Sequence, residues 1–254
     1  MNFDYKGIMG FDISRWQDDP TTPVKNNFEK MKSYGASFCI SKAGQYNFKD
    51  INFSDNWKGT KEGGLARGSY WFCDKRSSGK QQAQLYWSIL QGNGYENEMC
   101  FADYESGAWD SWKELYNFIF EFQRISQLPF EKIGIYTAYY FWMEHMPFWS
   151  YQRDFFHQYP LWLAYYTNDV SFVKVPSPWK ESDVLIWQSG TPSIGHEVGV
   201  ESKEIDYNEF QGDENKFEKY FGKTIDIPPV VEPSQPDMEL ILRYGDFSVS
   251  YKKA

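Results

Sequence analysis

Apolar and aromatic residues recur along the chain in short runs of strand length. They are Ile8–Ser14, Ser37–Ala43, Ala66–Cys73, Glu98–Glu105, Ile133–Ala138, Pro160–Tyr166, Val184–Gly190 and Glu204–Asn208. Each is rich in β-branched or aromatic residues and bounded by polar or turn-forming ones. Between the early runs the period changes from two to 3.6. Asn26–Tyr34, Asn52–Glu62, Gly79–Leu90 and Ser111–Ile125 read as helices, the last with Leu115, Phe118, Ile119 and Phe122 on one stripe. After residue 140 the pattern loosens, and Phe141–Tyr159 carries Trp142, Phe148, Trp149, Phe155 and Phe156 without a clean period. Eight strands separated by helices or long loops predict an α/β fold, a parallel barrel of TIM-like (β/α) type more than an open sheet.

The pattern stops near residue 224. Ile227–Pro236 (IPPVVEPSQP) is proline-rich and reads as a linker, and Met238–Ala254 alternates around Gly245-Asp246 as a β-hairpin would. The expected organisation is a catalytic barrel over 1–223, a linker over 224–237 and a hairpin tail over 238–254. A hairpin alone is marginal in water, so the tail is expected to dock on the barrel, to self-associate with another copy, or to be the remnant of a longer module.

Composition narrows the function. The formal charge of −9 argues against nucleic acid as a partner, since phosphate binding needs a basic face. Cys39, Cys73 and Cys100 are an odd set without ligand spacing and lie in apolar runs, so they read as buried thiols. Only His145, His157 and His196 are present, with no spaced ligand pair, and the glycine pairs lack a phosphate-loop context. No metal or cofactor is expected. The N-terminus lacks a basic start followed by an apolar stretch, and no run is long enough to span a bilayer. The expectation is a chain made in the cytoplasm without a signal peptide and without membrane insertion.

The acids fall in a pattern. On a barrel, the C-terminal strand ends form the face where active sites lie. There the first run ends in Asp12, the fourth in Asp103 and Glu105, and the eighth in Asp206. Side chains alternate along a strand, so Asp103 and Glu105 share a face and Tyr104 points the other way. Carboxylates crowded in a desolvated cleft cannot all stay ionised, so at least one keeps its proton near neutral pH. A protonated acid beside a charged one is what glycosidic cleavage needs.

At this point the residues resemble a known family. Phe11-Asp12-Ile13-Ser14-Arg15-Trp16-Gln17 is similar to the DxSxxQ opening of the family 25 glycoside hydrolases, the Chalaropsis-type lysozymes, which include phage and prophage endolysins. Phe101–Glu105 resembles that family's DxE strand. Ser41–Ala43, Gly68–Phe72, Leu163–Tyr165, Ile186–Gln188 and Ile205–Asn208 resemble its later blocks, in order, over roughly residues 7–222. The resemblance implies an irregular barrel with some helices reduced to loops. It implies hydrolysis of the β-1,4 bond between N-acetylmuramic acid and N-acetylglucosamine in bacterial peptidoglycan, with action at the cell wall. By motif position Glu105 is the proton donor, Asp103 orients or charge-stabilises the sugar, and Asp12 and Asp206 complete an acidic floor. Whether the nucleophile is a carboxylate, a water or the substrate's acetamido group stays open. One departure is Trp71, where the family commonly has histidine.

The aromatic fraction of 20% then has a candidate use. Tyr70, Tyr136, Trp162 and Tyr165 are candidate sugar-stacking residues, and Trp16 and Trp109 lie just past the first and fourth runs. Trp187 neighbours Gln188, a candidate hydrogen-bonding partner for the substrate. Lys42 is a candidate partner for Asp12 or for a peptide carboxylate, with a structural ion pair as the other option. Two functional alternatives remain: a weakly active or non-catalytic glycan-binding barrel of a phage particle, and a barrel hydrolase acting on chitin.

Overall fold

The computed structural model describes residues 5–22, 25–146, 152–167, 169–225, 240–244 and 247–251. Eight strands close into a barrel: β1 (Tyr5–Ile13), β2 (Ala36–Gln45), β4 (Ala66–Phe72), β5 (Met99–Asp103), β6 (Ile133–Ala138), β7 (Leu161–Ala164), β8 (Val184–Gly190) and β9 (Asp206–Gln211). A two-residue strand, β3 (Phe48–Lys49), folds back on the end of β2. Pairing of β1 with both β2 and β9 closes the ring.

All eight predicted runs are barrel strands, but the barrel is not all parallel. β9 runs antiparallel to both β1 and β8, with Asp12 opposite Asp206 and Gln188 opposite Asn208. The stretch 191–205 between β8 and β9 forms only the four-residue helix Gly195–Val198, so the chain turns back at the mouth instead of crossing to the far end. Asp206 therefore reaches the mouth as the first residue of its strand, and not at its C-terminal end as expected.

The period of two sorts the side chains. Ile8, Phe38, Ile40, Ala66, Met99, Phe101, Ile186 and Phe210 face inward and fill the barrel. Phe101 packs so tightly there that a Cβ on Gly134 would collide with its ring. Alternate residues such as Trp71, Cys100, Ala102, Ile135, Leu163 and Trp187 face the outer layer.

That outer layer holds α1 (Phe28–Ser33), α2 (Phe53–Glu62), α3 (Gly79–Gly92) and α4 (Trp112–Ser126). The predicted stripe of α4 is buried, and Tyr86 of α3 stacks on Phe122 at 4.8 Å. Past β6 the layer thins to α5 (Tyr139–His145) and α6 (Gln152–Phe156), and between β7 and β8 the described residues form only short 3-10 turns. Trp71 is fully buried in this layer, where its Nε1 donates to Gln82 Oε1 at 2.9 Å. The departure from histidine therefore sits behind the strand. Cys39, Cys73 and Cys100 are buried and unbridged. No helix among the described residues is long and apolar enough to cross a membrane.

Past α7 (Gly195–Val198), the helix α8 (Glu214–Phe221) plugs the end of the barrel away from the mouth. Asp213 caps it by accepting from Lys216 N, and Gly222 ends it in the left-handed region at φ 67°. Its Phe217 and Phe221 pack on Phe38 and Phe210. Beyond it, 226–239 lie outside the described residues, and so does most of the predicted linker. β10 (Leu240–Tyr244) and β11 (Phe247–Tyr251) pair antiparallel.

Because Phe217 is fully buried among three other phenylalanine rings, Phe217→Ala should lower unfolding free energy by about 3–5 kcal/mol. Denaturant titration of both proteins measures this. A loss below about 1 kcal/mol would mean that α8 is not part of the cooperative core.

Candidate active site

Three strands and one turn deliver four carboxylates to a pit of about 140 Å³ at the barrel mouth. Asp12 comes from the inner face of β1, Asp103 is the last residue of β5, and Asp206 opens β9. Glu105 lies two residues past β5, in a turn closed by Ala108 N donating to Glu105 O at 2.9 Å. Between the two acids Tyr104 turns away. It is fully buried in the outer layer, and its hydroxyl donates to Trp109 O. The rest of the pit is walled by Tyr70, Tyr136, Trp162, Tyr166 and Gln188.

A chain of hydrogen bonds fixes the floor. Tyr136 and Tyr166 hydroxyls both donate to Gln188 Oε1 at 2.9 Å. That orients the amide so that Gln188 Nε2 donates to Asp12 Oδ2 at 2.8 Å. Asn208 Nδ2 donates to the same oxygen at 2.8 Å, and Trp162 Nε1 holds Asn208 by donating to its Oδ1. Thr191 donates to Asp206 Oδ1 at 2.7 Å. Asp103 differs: its buried Oδ1 has no hydrogen-bond partner among the described residues.

Burial dominates the electrostatics. Asp12 and Asp103 are 6% and 4% exposed, and desolvation pushes both carboxyls well above the usual range. Asp206, opposed across β1 and β9, raises Asp12 further, while the two amide donors restrain it. Glu105 does the same to Asp103. Glu105 itself is pushed up to about 7, first by burial, with Lys42 pulling it down and Asp206 raising it. Asp206 is also raised by burial, against the Thr191 hydrogen bond. The pit thus holds an acid poised to keep its proton at neutral pH beside Asp12, which two amide donors fix.

The structure separates the predicted residues. Asp12, Asp103, Glu105, Asp206, Tyr70, Tyr136, Trp162 and Gln188 come together in the pit. Trp162 is 1% exposed, with Tyr70, Phe101 and Tyr136 around its ring, so it is floor and not a stacking platform. Trp187 points outward and donates to Tyr165 O, away from the pit, and Trp109 is buried with its Nε1 on Ser77 O. Tyr165 walls an adjoining cleft with Tyr139, Tyr140 and Tyr166. Lys42 pairs with neither Asp12 nor another described carboxylate; its amine donates to Gln45 Oε1 at 2.7 Å. Tyr166, Asn208 and Thr191 were missed. The first two share the inner face with Trp162 and Phe210 by the period of two. Thr191 lies in a loop and had no signal.

Partly desolvated carboxylates beside an aromatic cleft at a barrel mouth are the groups that glycosidic cleavage needs. Residues 11–192 match glycosyl hydrolases family 25, a stretch that includes Asp12, Asp103 and Glu105 and ends before Asp206. The chain is 30% identical over 220 residues to lysozyme M1 of Streptomyces globisporus, covering 82% of this chain and 69% of that protein. Its fold matches the bacterial lysozyme of Streptomyces coelicolor with a TM-score of 0.67 at 27% identity, over 87% of this chain and 99% of that one. It also matches a family GH25 lysozyme of Aspergillus fumigatus with a TM-score of 0.65 at 26% identity, over 84% and 98% of the two chains. The chain belongs to glycosyl hydrolases family 25 and is a glycoside hydrolase.

Between pH 4.5 and about 7 the folded state binds more protons at Glu105 than the unfolded chain does. Stability therefore falls as pH rises through that window. The melting temperature should drop between about pH 5 and about pH 8, and Glu105→Gln should make the drop shallower. Calorimetry across that range decides the matter; identical slopes would mean that Glu105 is not desolvated in the fold.

Proposed function

We propose that this glycoside hydrolase is a muramidase acting on bacterial peptidoglycan, with Glu105 as its general acid. The observation that carries the assignment is the position of Glu105. It stands where the acid pit meets the tyrosine cleft, and burial holds it at about 7. In this reading the sugar chain lies along the exposed faces of Tyr140 and Tyr166. Glu105 passes its proton to the glycosidic oxygen as the C1–O bond breaks and its electron pair leaves with that oxygen. Water adds to C1 in the net reaction and restores the proton to Glu105. Asp103 has an unpartnered oxygen in the pit; a donor from the reacting sugar, together with the Lys42 charge, holds it ionised against its burial, so that it stabilises positive charge at C1. Asp12, clamped by Gln188 and Asn208, and Asp206 maintain the negative field below.

The same reading places action at the cell wall and treats 1–223 as the catalytic unit, joined by 224–237 to a tail over 238–254. We hold self-association through the paired strands β10 and β11 as part of it. Sedimentation of the full chain against a chain ending at residue 223 tests this, and a monomeric mass for the full chain would refute it.

Glu105→Gln should lower turnover on purified peptidoglycan by about 10²–10⁴-fold with little change in KM. For the wild type, kcat/KM should fall as pH rises past about 7, where Glu105 loses its proton. Product analysis should find new muramic-acid reducing ends from the wild type alone. Equal release by the variant would remove Glu105 from its role. Release from chitin but not from peptidoglycan would change the substrate, and binding without release from either would favour a glycan-binding barrel.

A further inference from the structure

Two clefts flank the pit, and they differ in chemistry. The tyrosine cleft, about 470 Å³, shares Glu105, Tyr136 and Tyr166 with the pit and has no other charged wall. The second, about 520 Å³, lies past the ends of β1 and β2 and is charged. Arg15, Lys42 and Lys49 converge on it in a protein whose formal charge is −9.

Asp50 acts on Arg15 and Lys42, and Asp103 and Glu105 act on Lys42, only from beyond ion-pair distance. No ion pair joins Arg15, Lys42 or Lys49 to a carboxylate among the described residues. The two acids in the wall are committed locally. Asp50 is buried and accepts from the backbone N–H of Asn52 at 3.0 Å and of Arg15 at 3.3 Å. Asp19 accepts from the Thr21 amide and hydroxyl. The Arg15 guanidinium lies 4.4 Å from the centre of the Trp16 ring, which uses its flat face and leaves its N–H edge free for a bidentate carboxylate. Lys49 spends one proton on Ser54 Oγ at 2.9 Å. Trp16 is 69% exposed and offers an apolar wall beside these charges.

Lys42 ties this cleft to the chemistry. It lines the cleft, pairs in register with Tyr70 of the pit wall, and its charge acts on Asp103 and Glu105. We propose that the second cleft seats the stem peptide of the muramyl residue at the scissile bond. Its carboxylates lie on Arg15 and Lys49, and its apolar side chains lie against Trp16. This rests on the muramidase reading, because only a muramyl sugar carries a peptide, through its lactyl ether, away from the bond being cut. A sugar held in the pit must send that branch sideways, and the charged cleft is the opening that complements it. Its volume falls in the range of ligand pockets, about 300–1,000 Å³.

The test uses the full chain and three teichoic-acid-free substrates (intact peptidoglycan, the same material with its stem carboxylates amidated, and strands stripped of peptide by an amidase), with walls that retain their phosphate polymers as a fourth. The wild type should show a KM about tenfold lower on intact material than on either other, as expected for charge-assisted contacts that are partly solvated. In the double variant Arg15→Met, Lys49→Met the three values should converge on that of stripped strands, with kcat within about twofold. Both residues are exposed, and a matching melting temperature establishes that the variant is folded. Wild-type indifference to amidation and stripping, with hydrolysis intact, would overturn the cleft assignment alone. No muramic-acid release from any substrate would overturn the muramidase reading and this one with it. A variant defect seen only on walls that retain phosphate polymers would overturn the peptide as occupant and assign the cations to polymer phosphate.

Discussion

The site depends on holding four carboxylates close together in a pit where Asp12 and Asp103 are buried and Glu105 and Asp206 half-buried. Opposed residues on antiparallel strands place their Cβ atoms about 4.5–5.5 Å apart, so Asp12 and Asp206 meet as like charges by the register of β1 and β9. Desolvation and repulsion both favour protonation, and specific hydrogen bonds oppose them, joined at Asp103 and Glu105 by the charge of Lys42. Asp12 receives two amide donors on one oxygen and Asp206 a hydroxyl, while Asp103 receives none on Oδ1. The acids are therefore inequivalent before substrate arrives. Tyr136, Tyr166, Gln188, Asn208 and Trp162 form one network whose effect is to aim two amides at a single carboxylate oxygen.

That arrangement requires the reversed strand. In an all-parallel barrel the start of the last strand lies at the end opposite the mouth, and Asp206 and Asn208 would lie far from Asp12. With β9 reversed, its first residues form the rim, and its Phe210 reaches down to the plug made by Phe217 and Phe221. The eight strands were legible because runs of β-branched and aromatic residues stand out against polar links. The direction of β9 was not, because a strand's side-chain period is the same in either orientation. The loss of full helices after β6 was foreshadowed by the irregular aromatics past residue 140, since an outer layer without an apolar stripe has nothing to hold a long helix on the sheet.

The acids of the site were legible for a physical reason: charged residues in otherwise apolar runs need an explanation, and strand ends supply one. The aromatics were less so. Trp187 was grouped with Gln188 because the two adjoin in sequence, yet neighbours on a strand face opposite sides, and only Gln188 enters the pit. The same rule carried forward from Trp162 through Ala164 reaches Tyr166, which does line the pit. Trp109 follows Asp103 and Glu105 closely, but it is buried in the outer layer, with its ring near Phe118 of α4 and its Nε1 donating to Ser77 O. Proximity in sequence to a catalytic motif is weaker evidence than parity along a strand.

Lys42 links the chemistry to recognition. Burial raises Glu105, and the lysine beside it opposes that rise, which leaves the carboxyl at about 7 and within reach of both protonation states at neutral pH. The same ammonium lines the charged cleft on the β1–β2 side. On the assignment of that cleft to a stem peptide, an arriving carboxylate offsets part of the lysine's field. Glu105 then holds its proton more firmly when the correct branched sugar is bound than when the site is empty. Electrostatics of this kind makes proton donation sensitive to a part of the substrate that does not react, through one side chain shared between cleft and pit.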